Sequence, residues 1–294
     1  MAEDTEDTTQ IEMSNLISPI NIQTLVRGWL LEDSPAFDIG GAIVGNTLTT
    51  AHLFGKSPGI LAGIPFVNAV FGELDCKVEW HYREGNELAG ICLLAQVTGS
   101  ARNILLGERV ALNVLARCSG VATFASSLKK LVEKKGWKGQ VAGTRKTTPG
   151  FRLVEKYALK VANIDTHRYD LSSLVMIKDN HVMSCAGNIK MAVSKAKKLA
   201  GNYIKVEVEC RNLKEAMDAA EAQCDIIMLD NFPPQEICAV AKIIKSKSSH
   251  ILIEASGGIT ETTIQQFASP FIDIISCGKL TQGYPTVDFS LKIL

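Results

Sequence analysis

The chain has no surplus of charge of either sign. Its 31 Lys and Arg are matched by 31 Asp and Glu, and a formal net charge of zero argues against a nucleic-acid-coating role, which needs a basic surface. No apolar run approaches the roughly 18–20 residues of a membrane span, so no membrane partner is expected. Aromatic residues are sparse at 6%, yet 46% apolar and 21% charged residues are ordinary for a globular protein. None of the eight cysteines is spaced CxxC, and most sit in apolar runs. They read as reduced, buried small hydrophobes rather than as disulfides or a zinc site. The opening Met1-Ala2-Glu3-Asp4-Thr5-Glu6-Asp7 is acidic and polar, unlike a secretory or transit signal, and residues 1–12 are expected to form a disordered lead-in. The default expectation is a cytoplasmic enzyme, with the nucleus also open to it.

With 294 residues the chain can bury a large core in one or two domains. Ile22, Leu25, Val26, Trp29 and Leu30 follow the spacing of one apolar helix face. Pro65 is placed to open a short helix through Phe66, Val70 and Phe71. Cys76 to Tyr82 alternates apolar with polar, as a half-exposed strand does, and Ile91 to Val97 reads as another strand. Residues 13–100 therefore look like an α+β domain with a small, mainly antiparallel sheet, and residues 101–135 like one or two long helices bridging onward. From 139 the pattern becomes strand–helix alternation, with strands near 139–143, 174–178, 204–210, 225–230, 250–256 and 272–277. Helices are expected near 151–162, 188–200, 212–222, 234–246 and 260–267. Continuous apolar strands at this spacing point to a parallel α/β sheet covered on both faces. Six strands are two short of a complete eight-stranded barrel, so a partial or irregular barrel is the first reading and a doubly wound sheet the second.

In such architectures chemistry gathers at the C-terminal strand ends. The first end runs into Gly143-Thr144-Arg145-Lys146-Thr147-Thr148-Pro149-Gly150, and His167 and Arg168 precede the second strand, which ends at Lys178. The next two end in Glu209 and Asp230, and the last two in Ser256-Gly257-Gly258 and Gly278. Residues 141–181 carry seven Lys and Arg against four Asp and Glu, a local net of +3 in a neutral chain. Arg and Lys pair with carboxylates and phosphates, Arg in bidentate fashion. Glycines after a late strand expose backbone N–H groups for a phosphate, with a helix N-terminus following. Glu209 and Asp230 could hold sugar hydroxyls or Mg²⁺. Singly, each has an ordinary reading: Arg145 a solvated surface residue, Asp230 a helix N-cap, Ser256-Gly257-Gly258 a common turn, His167 and His181 surface or core histidines. Glu254 is set aside as a structural ion-pair partner. Together the strand ends describe a pocket for a small, multiply charged anion.

At these residues the chain resembles the quinolinate phosphoribosyltransferase family. The resemblance covers most of the chain and includes Lys56 to Gly63, Gly107 to Asn113 and Ala116 to Gly120. It continues through Ala142 to Gly150, Thr166 to Asp170, Lys178 to His181, Lys205 to Glu209, Leu229 to Phe232 and Ala255 to Ile259. The Thr144-to-Gly150 stretch is highly specific and the Ser-Gly-Gly turn is not. The resemblance implies an N-terminal open-faced α/β sandwich over residues 13–117, joined by a returning tail at 279–294, and an irregular α/β barrel of about seven strands over 118–278. It implies a homo-oligomer, dimer or hexamer, that uses Mg²⁺ to join quinolinate and 5-phosphoribosyl-1-pyrophosphate. The implied products are nicotinate mononucleotide, CO₂ and pyrophosphate. By that likeness Arg109, Arg145, Lys146, His167, Arg168 and Lys178 bind quinolinate, with Arg109 reaching a neighbouring subunit's site. Lys146, Lys178, Glu209, Asp230, Ser256, Gly257, Gly258 and Gly278 take the phosphoribosyl donor, and Glu209 and Asp230 meet the metal. Lys146, Lys178, Glu209 and Asp230 are the implied catalytic set. Competing readings are a nicotinate phosphoribosyltransferase without decarboxylation, a Schiff-base lyase using Lys178 as nucleophile, and a non-catalytic metabolite-binding protein.

Overall fold

The computed structural model describes residues 12–283 and 285–294, so the expected lead-in, apart from Glu12, lies outside the described residues. Two compact units emerge: one runs to Thr123 and takes in Lys160–Ala162 and Pro285–Leu294, and the other comprises Phe124–Leu159 and Asn163–Tyr284. The returning segment starts at Pro285, where the likeness places it at 279.

The first unit begins with α1 (Pro19–Asp33) and α2 (Ile39–Val44), followed by β1 (Leu48–Gly55) and β2 (Gly59–Ile60). Next come α3 (Ile64–Glu73), β3 (Lys77–Trp80), β4 (Glu87–Leu88) and β5 (Cys92–Ser100). Proline stands in the first turn of both α1 and α3, where its missing N–H costs nothing. The unit's core forms where Leu53, Leu61, Phe66, Phe71 and Leu94 lose all or nearly all contact with water. The helix α4 (Ala101–Glu133) is one unbroken run of 33 residues rather than two.

The second unit alternates β6 (Gln140–Ala142), α5 (Arg152–Val161), β7 (Val175–Ile177), α6 (Asp179–Met183) and α7 (Ile189–Ala200). It continues with β8 (Val206–Cys210), α8 (Leu213–Glu221), β9 (Ile226–Asp230), α9 (Pro234–Lys247), β10 (Leu252–Ser256), α10 (Ile264–Phe267) and β11 (Ile274–Ser276). All six strands are parallel, in the order β6-β11-β10-β9-β8-β7. Successive strands step round in one direction and the last pairs with the first, β11 with β6, which is barrel winding. A doubly wound sheet would reverse direction partway. A single parallel rung between Ala142 and Asp165 adds a seventh position beyond β6, matching an irregular barrel of about seven strands. Strand β9 buries Ile226 to Leu229 completely or nearly so, as a strand covered on both faces does, and Ile237 of α9 is also wholly buried.

The chain then re-enters the first unit as β12 (Phe289–Ile293). It pairs antiparallel with β1, Ala51 opposite Ile293 and Gly55 opposite Phe289, completing a four-stranded sheet of order β12-β1-β5-β3. Close approach governs this return: Gly120 of α4 leaves no room for a Cβ, which would collide with the Pro285 carbonyl.

Candidate active site

A cavity of about 520 Å³ opens at the C-terminal strand ends of the second unit. Arg145, Lys146, His167, Arg168, Lys178, Glu209, Asp230, Ser256, Gly257, Gly258 and Gly278 all line it. Arg109 does not; it stands exposed on α4 of the first unit. Sequence reasoning did not name Thr144, Met176, Met228, Ile259, Thr260, Ser276, Lys279 or Gln282 as site residues. Thr144 and Lys279 are immediate neighbours of residues it found, a signal that was there to use. The two methionines each stand two residues before a named strand-end residue, Lys178 and Asp230, where the strand period of two puts them on the same face.

The loop after β6 is held from below. Thr148 donates to Glu155 of α5 from its backbone N–H (3.0 Å) and its hydroxyl (2.8 Å). Arg152 Nε donates to Thr147 Oγ1 (3.0 Å), and Thr281 Oγ1 donates to the Lys146 carbonyl (2.7 Å). Arg145 and Lys146 are thereby presented to the cavity on a fixed turn. Arg168 is aimed by Nη1 donating to the Leu174 carbonyl (3.3 Å). Its burial, and after that the Arg145 guanidinium beside it, pull Arg168 down from the usual arginine value. Among the described residues the buried Arg145 Nε has no hydrogen-bond partner. Two guanidiniums facing one space, with a donor still unspent, are a receptor for a carboxylate or phosphate.

His167 is not the exposed cation that its position suggests. Its Nδ1 accepts the Arg168 backbone N–H (2.6 Å), and Nε2 lies 3.3 Å from Glu254 Oε2 and 3.7 Å from Glu207 Oε2. Its backbone takes the left-handed form, φ 57°. Both ring nitrogens are occupied by the protein, so the ring contributes a wall rather than a bare donor. Glu254, set aside above as an ion-pair partner, instead faces the imidazole Nε2, with Glu207 beside it. The two carboxyls are 0% and 1% exposed, and burial, followed by repulsion from Glu254, pushes Glu207 well above the usual glutamate range.

On the opposite wall Lys178 and Glu209 form an ion pair across β7 and β8. Asp230 ends β9 and accepts from Asn231 Nδ2 at Oδ2 (2.7 Å). The following residues make a tight turn: Asn231 N–H donates to the Ser256 carbonyl (2.9 Å), and Gly257 and Gly258 take φ of 97° and 61°. A Cβ at Gly257 would strike Asn231, so only glycine fits there. Ser276 Oγ donates to Ser256 Oγ (3.1 Å). The helix expected at 260–267 shrinks to Ile264–Phe267. Thr260 N–H is taken by the Thr263 hydroxyl (2.9 Å), a side-chain bond that competes with helix. The 257–260 turn itself, rather than a long helix terminus, therefore lines the cavity here.

The described residues offer two acidic groupings. Glu209 and Asp230, at adjacent strand ends in the cavity, form an all-oxygen donor pair of the hard kind that suits Mg²⁺. His167, Glu207 and Glu254 offer ligand atoms within 4.8 Å of one another, but the two glutamates are buried and absent from the cavity lining, and only the half-buried His167 reaches it.

Comparison with known proteins agrees with this geometry. The quinolinate phosphoribosyl transferase N-terminal domain matches residues 36–119, and the C-terminal domain of the same name matches 121–292. The rat nicotinate-nucleotide pyrophosphorylase [carboxylating] is 50% identical over 278 residues, covering 95% of this chain and 93% of its own. The Dictyostelium discoideum protein of that name is 49% identical over 96% of this chain and 99% of its own. The solved nicotinate-nucleotide pyrophosphorylase of Francisella tularensis superposes with a TM-score of 0.87 at 35% identity, covering 97% of this chain and all of that one. Two domain matches that together span the sandwich and the barrel, and half of all residues shared with full-length relatives, make this chain a member of the quinolinate phosphoribosyltransferase family.

Proposed function

We infer that the chain transfers the phosphoribosyl group of 5-phosphoribosyl-1-pyrophosphate to quinolinate and releases CO₂, forming nicotinate mononucleotide and pyrophosphate for NAD synthesis. The observation that carries this reading is the pair Arg145 and Arg168, two half-buried guanidiniums facing one cavity that also holds an acidic strand-end pair and a glycine turn. A pyridine dicarboxylate needs such concentrated positive charge, and a phosphoribosyl donor needs the other two features.

Arg145 and Arg168 hold the two carboxylates of quinolinate and aim the ring nitrogen at the anomeric carbon of the donor. His167 packs in the wall and fixes the Arg168 backbone through Nδ1. Lys146 and Lys178 meet phosphate and pyrophosphate oxygens. Glu209 and Asp230 accept from the ribose hydroxyls and stabilise positive charge as the ribosyl–pyrophosphate bond breaks. The turn at Ser256, Gly257 and Gly258, with Gly278, receives the 5-phosphate. The nitrogen lone pair forms the new C–N bond as pyrophosphate leaves with the electrons of the old C–O bond. The ring is now cationic, so the adjacent carboxylate departs as CO₂. Its bonding pair stays on the ring carbon as an ylide until a proton replaces it. No protein nucleophile is used; positioning and electrostatics supply the acceleration. The Lys178 ammonium is tied to Glu209, which disfavours the Schiff-base alternative.

Glu209 and Asp230 would hold Mg²⁺, which when bound offsets charge on the departing pyrophosphate. The working form is a homo-oligomer in the cytoplasm, at least a dimer. Phe37, Ile39 and Ile43, on and beside α2, are 75% exposed or more, which supports burial against a second copy. No described helix is long and apolar enough to cross a membrane.

The test is a coupled assay with phosphoribosyl pyrophosphate and Mg²⁺, offering quinolinate and nicotinate in parallel. Turnover of quinolinate with CO₂ equal to product is expected. Turnover of nicotinate alone would show that the dicarboxylate pocket had been misassigned. Activity with neither would move the weight to the lyase or the binding-protein reading.

A further inference from the structure

Helix α5 carries two adjacent buried charges, and the reaction above uses neither. Glu155 holds the loop of Arg145 and Lys146 through Thr148. Lys156 is 2% exposed and is absent from the cavity wall. Its Nζ donates to the carbonyl of Thr166 and to that of Arg168 (3.0 Å). Between those two carbonyls sits His167 in its left-handed conformation, one that a residue with a Cβ keeps only when its surroundings enforce it. A buried ammonium bridging both flanking carbonyls is such an enforcing contact, and His167 Nδ1 closes the turn by accepting from Arg168.

We propose that Lys156 is a positioning residue, a buried clamp whose charged form holds the 166–168 turn so that Arg168 points at the dicarboxylate, making affinity for that substrate, and not for the phosphoribosyl donor, weaken in alkali. The groups facing it are Arg152 on its own helix, Arg145 after β6, and Asp165 and Arg168 on the clamped turn. Burial first, then Arg152, bring the Lys156 ammonium down to about 8, with Asp165 opposing. The neutral amine retains two N–H groups but loses the charge that strengthens both bonds. Arginine at 156 would stay charged throughout this range.

The inference rests on the quinolinate assignment, and its test keeps the two separable. The full-length wild type, Lys156→Met and Lys156→Arg are compared by KM for quinolinate, KM for phosphoribosyl pyrophosphate and kcat from pH 7 to 9.5, with thermal midpoints as a folding control. Lys156→Met should raise the quinolinate KM about tenfold, the loss of a charge-assisted contact, and leave the donor KM within about twofold. Lys156→Arg should recover most of that loss and lack the wild type's rise in quinolinate KM above about pH 8. Equal changes in both KM values, or none in either, would overturn the clamp. Should Lys156→Met not fold, the alkaline profile of Lys156→Arg decides: an unchanged rise overturns the proposal and its disappearance upholds it. A wild type with no quinolinate turnover at pH 7 overturns the substrate assignment and the clamp together.

Discussion

Arg145 has most to lose by truncation, because its half-buried guanidinium stands beside a second one and its buried Nε has no hydrogen-bond partner among the described residues. Arg145→Ala should abolish quinolinate turnover, lowering kcat/KM by about a hundredfold or more. The fold should stay intact, since relieving repulsion from Arg168 offsets the lost packing. Full activity in a folded variant would remove Arg145 from the site. Lys156 adds a pH dependence of opposite sign to its effect on binding. An unfolded lysine holds its proton to about 10.5, and Lys156 in the fold holds it only to about 8. Between those values the unfolded chain binds more protons, so this group's contribution to stability rises with pH. The thermal midpoint of the wild type should therefore gain on that of Lys156→Met from pH 8 to 10, while quinolinate binding worsens. At this scale the sequence disclosed strand-end side chains and hid the ones beneath them. Nothing in the order of residues marks Lys156 as bridging Thr166 and Arg168, or says that His167 spends both nitrogens inward.

Among the elements, α5 does more than cover the barrel. Glu155 takes two donors from Thr148, and Glu155→Ala leaves both without that acceptor. A loss of about 2 kcal/mol is expected by denaturant unfolding, the size of a hydrogen bond to a charged group. Activity should fall for both substrates, because the loosened loop carries Arg145 and Lys146; an effect confined to one substrate would contradict this. Several barrel strands were legible because they are covered on both faces and read as apolar runs, as Ile226 to Leu229 does. Strand β1 was not, for Thr49, Thr50 and His52 break up its pattern, and β12 gains its identity only from a partner far away in the chain. The short α10 was overcalled because threonines at 260, 262 and 263 bond one another and delay the helix to Ile264.

For the whole molecule, the resemblance supplied what periodicity could not: a seventh barrel position made by one rung at Asp165, and a tail that returns to the first sheet. It also places Arg109 in a site built by a second copy, and the exposed position of Arg109 on α4 leaves it available for that. If so, Arg109→Ala and Arg145→Ala should each be inactive, while mixed oligomers of the two recover about a quarter of wild-type activity, from the random half of dimers that regain one intact site. No recovery after subunit exchange, with mixed oligomers verified, would place Arg109 in its own chain's chemistry.

The pairing of β12 with β1 also imposes an order in time. Residues 285–294 leave the ribosome only after the whole of 124–284 has been synthesised. At bacterial or eukaryotic elongation rates that interval is about 10–30 s for the intervening 161 residues (284 − 124 + 1). Throughout it the eight-residue β1 presents one edge with no strand beside it, an invitation to any other extended chain nearby. The pace of translation through the barrel therefore sets how long each nascent sandwich stays open to mispairing.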